Sequence, residues 1–291
     1  MKLELNPNAT ARFFTVGDWA APVLVIDDYL LHAERVREYA LSLSYGTGAD
    51  SYPGVTAQAT LAGATEATRE IAERMIGQLF ETRPPYLSTA GFGNTICRFS
   101  AMTGDRGKLP QNFVDQHADS GHRWLAAVLH LSHETEGRGT GLWQHRPSGM
   151  QSWFTGDVFQ IRLLESLNIG LEITAQFDSA MAQVPVRSAE ELSRLLFRPA
   201  AGRRPFSAQE DAEWRLLTLV EAGFNRLVVY PTWQIHSIVD ESTHADLSAD
   251  NVRLTMNMYV DYPFHPDLGF ATHKPRYPAS FYSAVAGLAT C

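Results

Sequence analysis

From residue 90 onward the chain is written mainly in short runs rich in β-branched and aromatic residues, bounded by turn residues. Runs of that length bury their apolar side chains only by pairing with one another, so they commit this part of the chain to sheet. They fall at 94–100 (NTICRFS), 111–115 (QNFVD), 123–132 (RWLAAVLHLS), 140–144 (TGLWQ), 214–220 (WRLLTLV), 226–230 (RLVVY), 234–239 (QIHSIV) and 252–260 (VRLTMNMYV), with a turn at 221–225. Residues 150–212 interrupt the series with helix-like sequence, including 157–166 and 189–197.

The front of the chain reads differently. Residues 21–26 form one Val-rich strand, after which Asp27 and Asp28 offer N-caps for a helix over roughly 31–43. Residues 45–63, rich in Gly, Ser and Thr, read as loop, and a second helix covers roughly 65–81. In that helix Ile71, Met75, Leu79 and Phe80 share a face, while Glu66, Arg69, Glu70, Glu73 and Arg74 make a solvated one. No repeat, low-complexity tract or linker-like shift divides the sequence, so one domain over 1–291 is expected. A helical front followed by a series of strands with one helical insert makes the fold class α+β, with a β-sandwich or barrel core.

Composition narrows the function. The formal charge is −8 and the pI about 5.7, which argues against a nucleic-acid binder, since that needs clustered Lys and Arg to neutralise phosphates. One well-placed arginine can still serve a single carboxylate. The two cysteines, Cys97 and Cys291, make neither a disulfide framework nor a zinc cluster. The N-terminal stretch lacks the apolar core of a signal peptide, and no run approaches a membrane span. A cytoplasmic protein is expected, with no membrane partner.

The chemically informative stretch is Gln116-His117-Ala118-Asp119-Ser120. An imidazole and a carboxylate two residues apart on an extended segment point to the same side and can reach one metal ion. A second imidazole, His236, comes from far along the chain in PTWQIHSIV. Two His and one carboxylate on one face of an octahedron leave three positions open, the facial triad suited to oxygen-activating iron(II). Seventeen residues beyond His236 lies Arg253, in NVRLTMN, and alternation places Arg253, Thr255 and Asn257 on one strand face.

The order His-x-Asp, strand, Gly139-Thr140-Gly141-Leu142, hairpin, distal His236, then Arg253-x-Thr255 on the last core strand resembles the 2-oxoglutarate/iron(II)-dependent dioxygenase superfamily, most closely its prolyl-4-hydroxylase-like branch. The likeness covers roughly 94–144 and 214–262, touches 21–45 loosely, and leaves out 150–212. It implies a double-stranded β-helix (jelly-roll or cupin-like) core flanked by N-terminal helices. It implies that His117, Asp119 and His236 hold Fe(II), and that Arg253 and Thr255 receive the distal carboxylate of 2-oxoglutarate. It also implies that O₂ and 2-oxoglutarate are consumed, with succinate and CO₂ released as a small molecule, or an amino-acid or peptide side chain, is hydroxylated. Related halogenases replace the carboxylate of the triad with a small residue, so Asp119 favours hydroxylation.

Two other functions compete. A cupin-like barrel could use its metal for isomerisation or hydrolysis, and a non-catalytic binding module could keep only the barrel. Arg253 separates the first from an oxygenase, because that chemistry needs no guanidinium on the last strand. Among the remaining polar groups, His122, His130, His133 and His145 read as partly exposed residues rather than substrate contacts. Arg98 reads as a surface ion pair, Trp143 and Trp233 as core or rim aromatics, and Asp115 falls outside the His-x-Asp register. The insert 150–212 reads as a packing element or as a lid over the metal.

Overall fold

Antiparallel pairing dominates the fold. The computed structural model describes residues 1–17, 21–47, 54–79, 96–102, 124–146, 151, 206–212, 214–231, 234–241 and 252–261. The expected strand at 111–115, the residues Asp115, His117, Asp119, His122, Trp233 and Cys291, and the expected helices at 157–166 and 189–197 lie outside these described residues.

The strands are β1 (Thr10–Val16), β2 (Ala21–Asp27), β3 (Gly46–Thr47), β4 (Val55–Thr60), β5 (Ile96–Met102), β6 (Trp124–His130), β7 (Arg138–His145), β8 (Trp214–Glu221), β9 (Leu227–Pro231), β10 (His236–Asp240) and β11 (Arg253–Asp261). Two helices, α1 (Ala33–Leu41) and α2 (Ala64–Leu79), complete the described elements. Eight strands form one sheet in the order β1-β2-β9-β6-β11-β5-β4-β3, and three form another in the order β10-β7-β8. Mostly antiparallel sheet with few helices is thus the observed form of the expected α+β fold.

Alternation along the central strands divides the large sheet into two faces. Leu125, Ala127 and Leu129 of β6, Leu227 and Val229 of β9, and Leu254, Met256, Met258 and Val260 of β11 pack with Val36 and Ala40 of α1 and Ala67, Ile71 and Met75 of α2. The other face meets the small sheet: Val23 and Val25 of β2, Ala126 of β6, and Val228 and Tyr230 of β9 cluster with Leu142 of β7 and Val220 of β8. The large sheet is therefore the middle layer, with helices on one side and the small sheet on the other.

Three local expectations need correction. Residues 45–63 are not simply loop, because they contain β3 and β4. Val55–Thr60 pairs with β5 along its whole length; Val55 and Ala59 pack against the helix-side core, and Ala57 between them is buried. The period of two is weak in the sequence because alanine, a poor strand former, fills two of the three inward positions. The strand β1 was not anticipated either; it pairs fully with β2 while most of its residues face solvent or the periphery.

Asp27 and Asp28, finally, do not cap α1. The helix follows His32 with no side-chain cap bond, Asp28 takes the left-handed conformation (φ 54°), and the Asp27 carboxylate pairs with Arg226. The turn before α1 is held instead by Asn225. Its side chain accepts a bond from the Leu30 N–H (2.9 Å) and donates one to the Leu30 carbonyl (2.8 Å).

Candidate functional site

The space between the two sheets is apolar along β2, β9 and β8 and polar along β5 and β11. Register makes this explicit, since residues directly opposed across antiparallel strands project from the same face. Thr255 of β11 stands opposite His130 of β6 and Ser100 of β5; Asn257 stands opposite Val128 and Arg98; Arg253 stands opposite Met102. All of these alternate with the helix-side residues Val252, Leu254 and Met256, so they project toward the small sheet. Asn257 Nδ2 donates to Ser100 Oγ at 2.9 Å, tying β11 to β5 on this face.

His236 approaches from the small sheet. It stands opposite Leu142, a member of the inter-sheet cluster, and its ring meets that of Tyr230 edge-on with centroids 4.7 Å apart. Its Nδ1 lies 2.7 Å from the Gln234 carbonyl oxygen. A carbonyl only accepts, so this bond puts a hydrogen on Nδ1, and in the neutral ring the lone pair is then on Nε2. Metal-binding histidines are oriented in this way, with the other ring nitrogen donating to a backbone carbonyl or carboxylate.

Of the five residues singled out for metal and cosubstrate, the structure thus describes three. His236, Arg253 and Thr255 all project into the inter-sheet space, one from β10 and two from β11. His117 and Asp119 lie outside the described residues.

Arg253 is the electrostatic anomaly. It is 3 % exposed, and its Nε has no hydrogen-bond partner among the described residues. A permanent cation shut away from water is costly unless an anion meets it. The small sheet shows the contrasting case in Arg138 and Asp240, a buried pair at 3.4 Å whose charges compensate.

The sequence reading of His130 as a partly exposed polar residue is corrected. It is 1 % exposed, and its Nε2 has no hydrogen-bond partner among the described residues. Burial, followed by the Arg253 and Arg226 guanidinium groups, pushes its pKa down to about 3. The unfolded chain binds a proton on this ring below about pH 6.5, whereas the folded chain does not until about pH 3. Stability is therefore full above that window and is lost as the pH falls through it. Between pH 7 and pH 5 the wild type should lose about 2 kcal/mol more than His130→Gln, measured as the difference in urea unfolding free energy.

Other expectations fare variously. His133 is exposed and pairs with Glu34 at 3.4 Å, in keeping with a peripheral role. Trp143 is fully buried and donates from Nε1 to Ser237 Oγ at 2.8 Å, a core aromatic as expected. Its indole lies over Gly141, where a Cβ would come within 2.7 Å of Nε1, so the second glycine of Gly-Thr-Gly-Leu is required by packing. Arg98 is half-buried on the inner face rather than on the outer surface. The described ends of the insert lie against β10: the Gln151 carbonyl accepts the Ile235 N–H, and the Phe206 carbonyl accepts the Asp240 N–H, both at 2.9 Å. The insert therefore leaves and rejoins the fold beside the strand that carries His236.

A family model described as "Family of unknown function (DUF6445)" matches residues 7–157, more than half of the chain. The chain belongs to that family. The DUF6445 match takes in both helices, β1 to β7, His117, Asp119 and His130, and it stops before His236 and Arg253. No curated protein and no solved structure matches the chain. No helix among the described residues is long and apolar enough to cross a membrane.

Proposed function

We propose that this protein is a non-haem Fe(II) and 2-oxoglutarate-dependent oxygenase that hydroxylates a small molecule or an amino-acid or peptide side chain. The observation that carries this reading is the buried Arg253 guanidinium on the inner face of β11, its Nε without a hydrogen-bond partner among the described residues, on the same inter-sheet side as the oriented imidazole of His236. A five-carbon 2-oxo diacid has the two ends such a space asks for. One end chelates a metal, and the other is a carboxylate that can take paired hydrogen bonds from a guanidinium.

The topology supports the matching fold, a double-stranded β-helix. Successive strands cross between the sheets at β6 to β7, β8 to β9, β9 to β10 and β10 to β11, which is how such a core is wound. In this reading the metal is held by His236, whose ring is oriented by the Gln234 carbonyl, together with His117 and Asp119 of the His-x-Asp motif. Bound there, Fe(II) would supply O₂ activation coupled to decarboxylation of the cosubstrate.

The chain's own groups do the rest. Gln234 fixes the His236 ring, Arg253 neutralises and positions the distal carboxylate, and Thr255 adds a hydroxyl beside it. The apolar wall of Val228, Tyr230 and Leu142 excludes water. A barrel using its metal for other chemistry has no need of a buried guanidinium at Arg253.

Anaerobic titration of the Fe(II)-loaded protein with 2-oxoglutarate tests the proposal. A visible metal-to-ligand charge-transfer band that saturates with cosubstrate is the expected result. Metal uptake without the band would favour the non-oxygenase barrel, and no metal uptake would favour a binding module.

A further inference from the structure

The inner face holds a second buried polar group that the contacts above leave unassigned. His130 ends β6, directly opposite Thr255 and diagonal to Arg253 across the β6–β11 pair. Diagonal neighbours on one sheet face stay within reach of long side chains. Both residues are almost wholly buried, and each has a side-chain nitrogen with no hydrogen-bond partner among the described residues, His130 Nε2 and Arg253 Nε.

Two such groups on adjacent strands constrain what can satisfy them. A water molecule could bond the imidazole but would leave the guanidinium charge uncompensated. A neutral ligand has the same defect, and a cation is repelled. An anion with two acceptor oxygens satisfies both, one oxygen toward each strand. The ring stays uncharged near neutral pH, so it offers one N–H and adds no repulsion to Arg253.

We propose that His130 is a third donor to the carboxylate received by Arg253, with its Nε2–H bonding one carboxylate oxygen while the guanidinium binds the other. Naming that carboxylate as the distal end of 2-oxoglutarate rests on the oxygenase reading; the anion site itself does not. Donors from β6 and β11 fix the plane and the depth of the carboxylate together, whereas a lone arginine would fix chiefly its charge. His130 is then a specificity-determining residue for diacid length.

Calorimetric titration of the zinc-loaded protein with 2-oxoglutarate tests this without turnover, using wild type, His130→Leu and His130→Gln. The Leu variant should bind roughly tenfold to a hundredfold more weakly with unchanged metal content, the range expected for one lost hydrogen bond to a charged group. The Gln variant keeps an N–H donor at similar depth and should stay closer to wild type. Wild-type affinity in His130→Leu overturns the proposal. If the variants do not fold, the wild type still answers. On saturation with 2-oxoglutarate the His130 imidazole N–H should become exchange-protected and shift in nitrogen-15 spectra, and unchanged resonances overturn the assignment.

Failure of the oxygenase reading looks different, because the wild type then does not bind 2-oxoglutarate at all. In that case thermal shifts with succinate, glutarate and inorganic phosphate decide. Stabilisation by one of these that disappears in both His130→Leu and Arg253→Met keeps His130 as an anion donor, and absence of any stabilisation ends that role too.

Discussion

Arg253→Met should melt at a higher temperature than the wild type when no 2-oxoglutarate is present, and should gain nothing when 2-oxoglutarate is added. Arg253 is 3 % exposed and its Nε has no hydrogen-bond partner among the described residues, so in the proposed site the guanidinium is a buried charge that the cosubstrate would compensate. Replacing buried charged groups by apolar ones of similar volume is often neutral or stabilising by about 1–4 kcal/mol. Met fits, since β11 already buries Met256 and Met258 on its other face.

The wild type should behave oppositely. A ligand that binds only the folded state adds about 2.7 kcal/mol at a hundredfold excess over its dissociation constant. The variant loses that linkage, because truncating one side of a buried charged contact costs about 2–5 kcal/mol of binding. Iron content should remain at the wild-type level. Thermal melts with and without 2-oxoglutarate, alongside metal analysis, check all three. A variant that melts lower yet still responds to 2-oxoglutarate would move the carboxylate contact to Arg98, which shares the inner face.

His236→Ala should abolish iron retention and turnover together while leaving the sheets intact. The side chain sits on β10 with Leu142 opposite and Tyr230 against its ring, so its removal opens a small cavity but breaks no strand pairing. The loss of packing is modest, about 1–3 kcal/mol, because most of the surrounding cluster is aliphatic and stays in place. If the proposed triad holds the iron, removing His236 is far more severe, since the remaining pair cannot close the facial set. Metal analysis after gel filtration, with succinate release as the activity readout, separates the two effects. Wild-type iron content in a folded His236→Ala would remove it from the ligand set.

Much of the sheet was legible because its strands alternate apolar and small residues with few polar interruptions. Residues 252–260 foretold β11 within a residue at each end, and alternation put Arg253, Thr255 and Asn257 together on the face where the register now has them. β4 escaped notice because its inward residues include two small alanines, Ala57 and Ala59, set among Thr and Gln, a pattern whose meaning emerges only once β5 lies beside it.

His130 was misjudged for a related reason. A histidine at a strand end is exposed if its face meets water and buried if its face meets another sheet, and the local sequence is the same in both cases. The burial of Arg253 has that origin as well: one chain segment can show a cation, but what faces it among the described residues is decided by several strands at once. The helix cap failed because a side chain about two hundred residues away, Asn225, had already taken the Leu30 amide.

The position of β2 carries a consequence for how the chain is made. Its inner neighbour is β9, and about 200 residues lie between Asp27 and Leu227. A ribosome extending the chain at about 5–20 residues per second takes roughly 10–40 s to cover that interval. Throughout it, the emerging hairpin of β1 and β2 shows an apolar, unpaired margin to the cell. Such margins recruit other nascent chains unless they are shielded. Recovery of intact protein during expression should therefore depend on holding chaperones and on slow synthesis at low temperature, whatever the equilibrium stability of the finished fold.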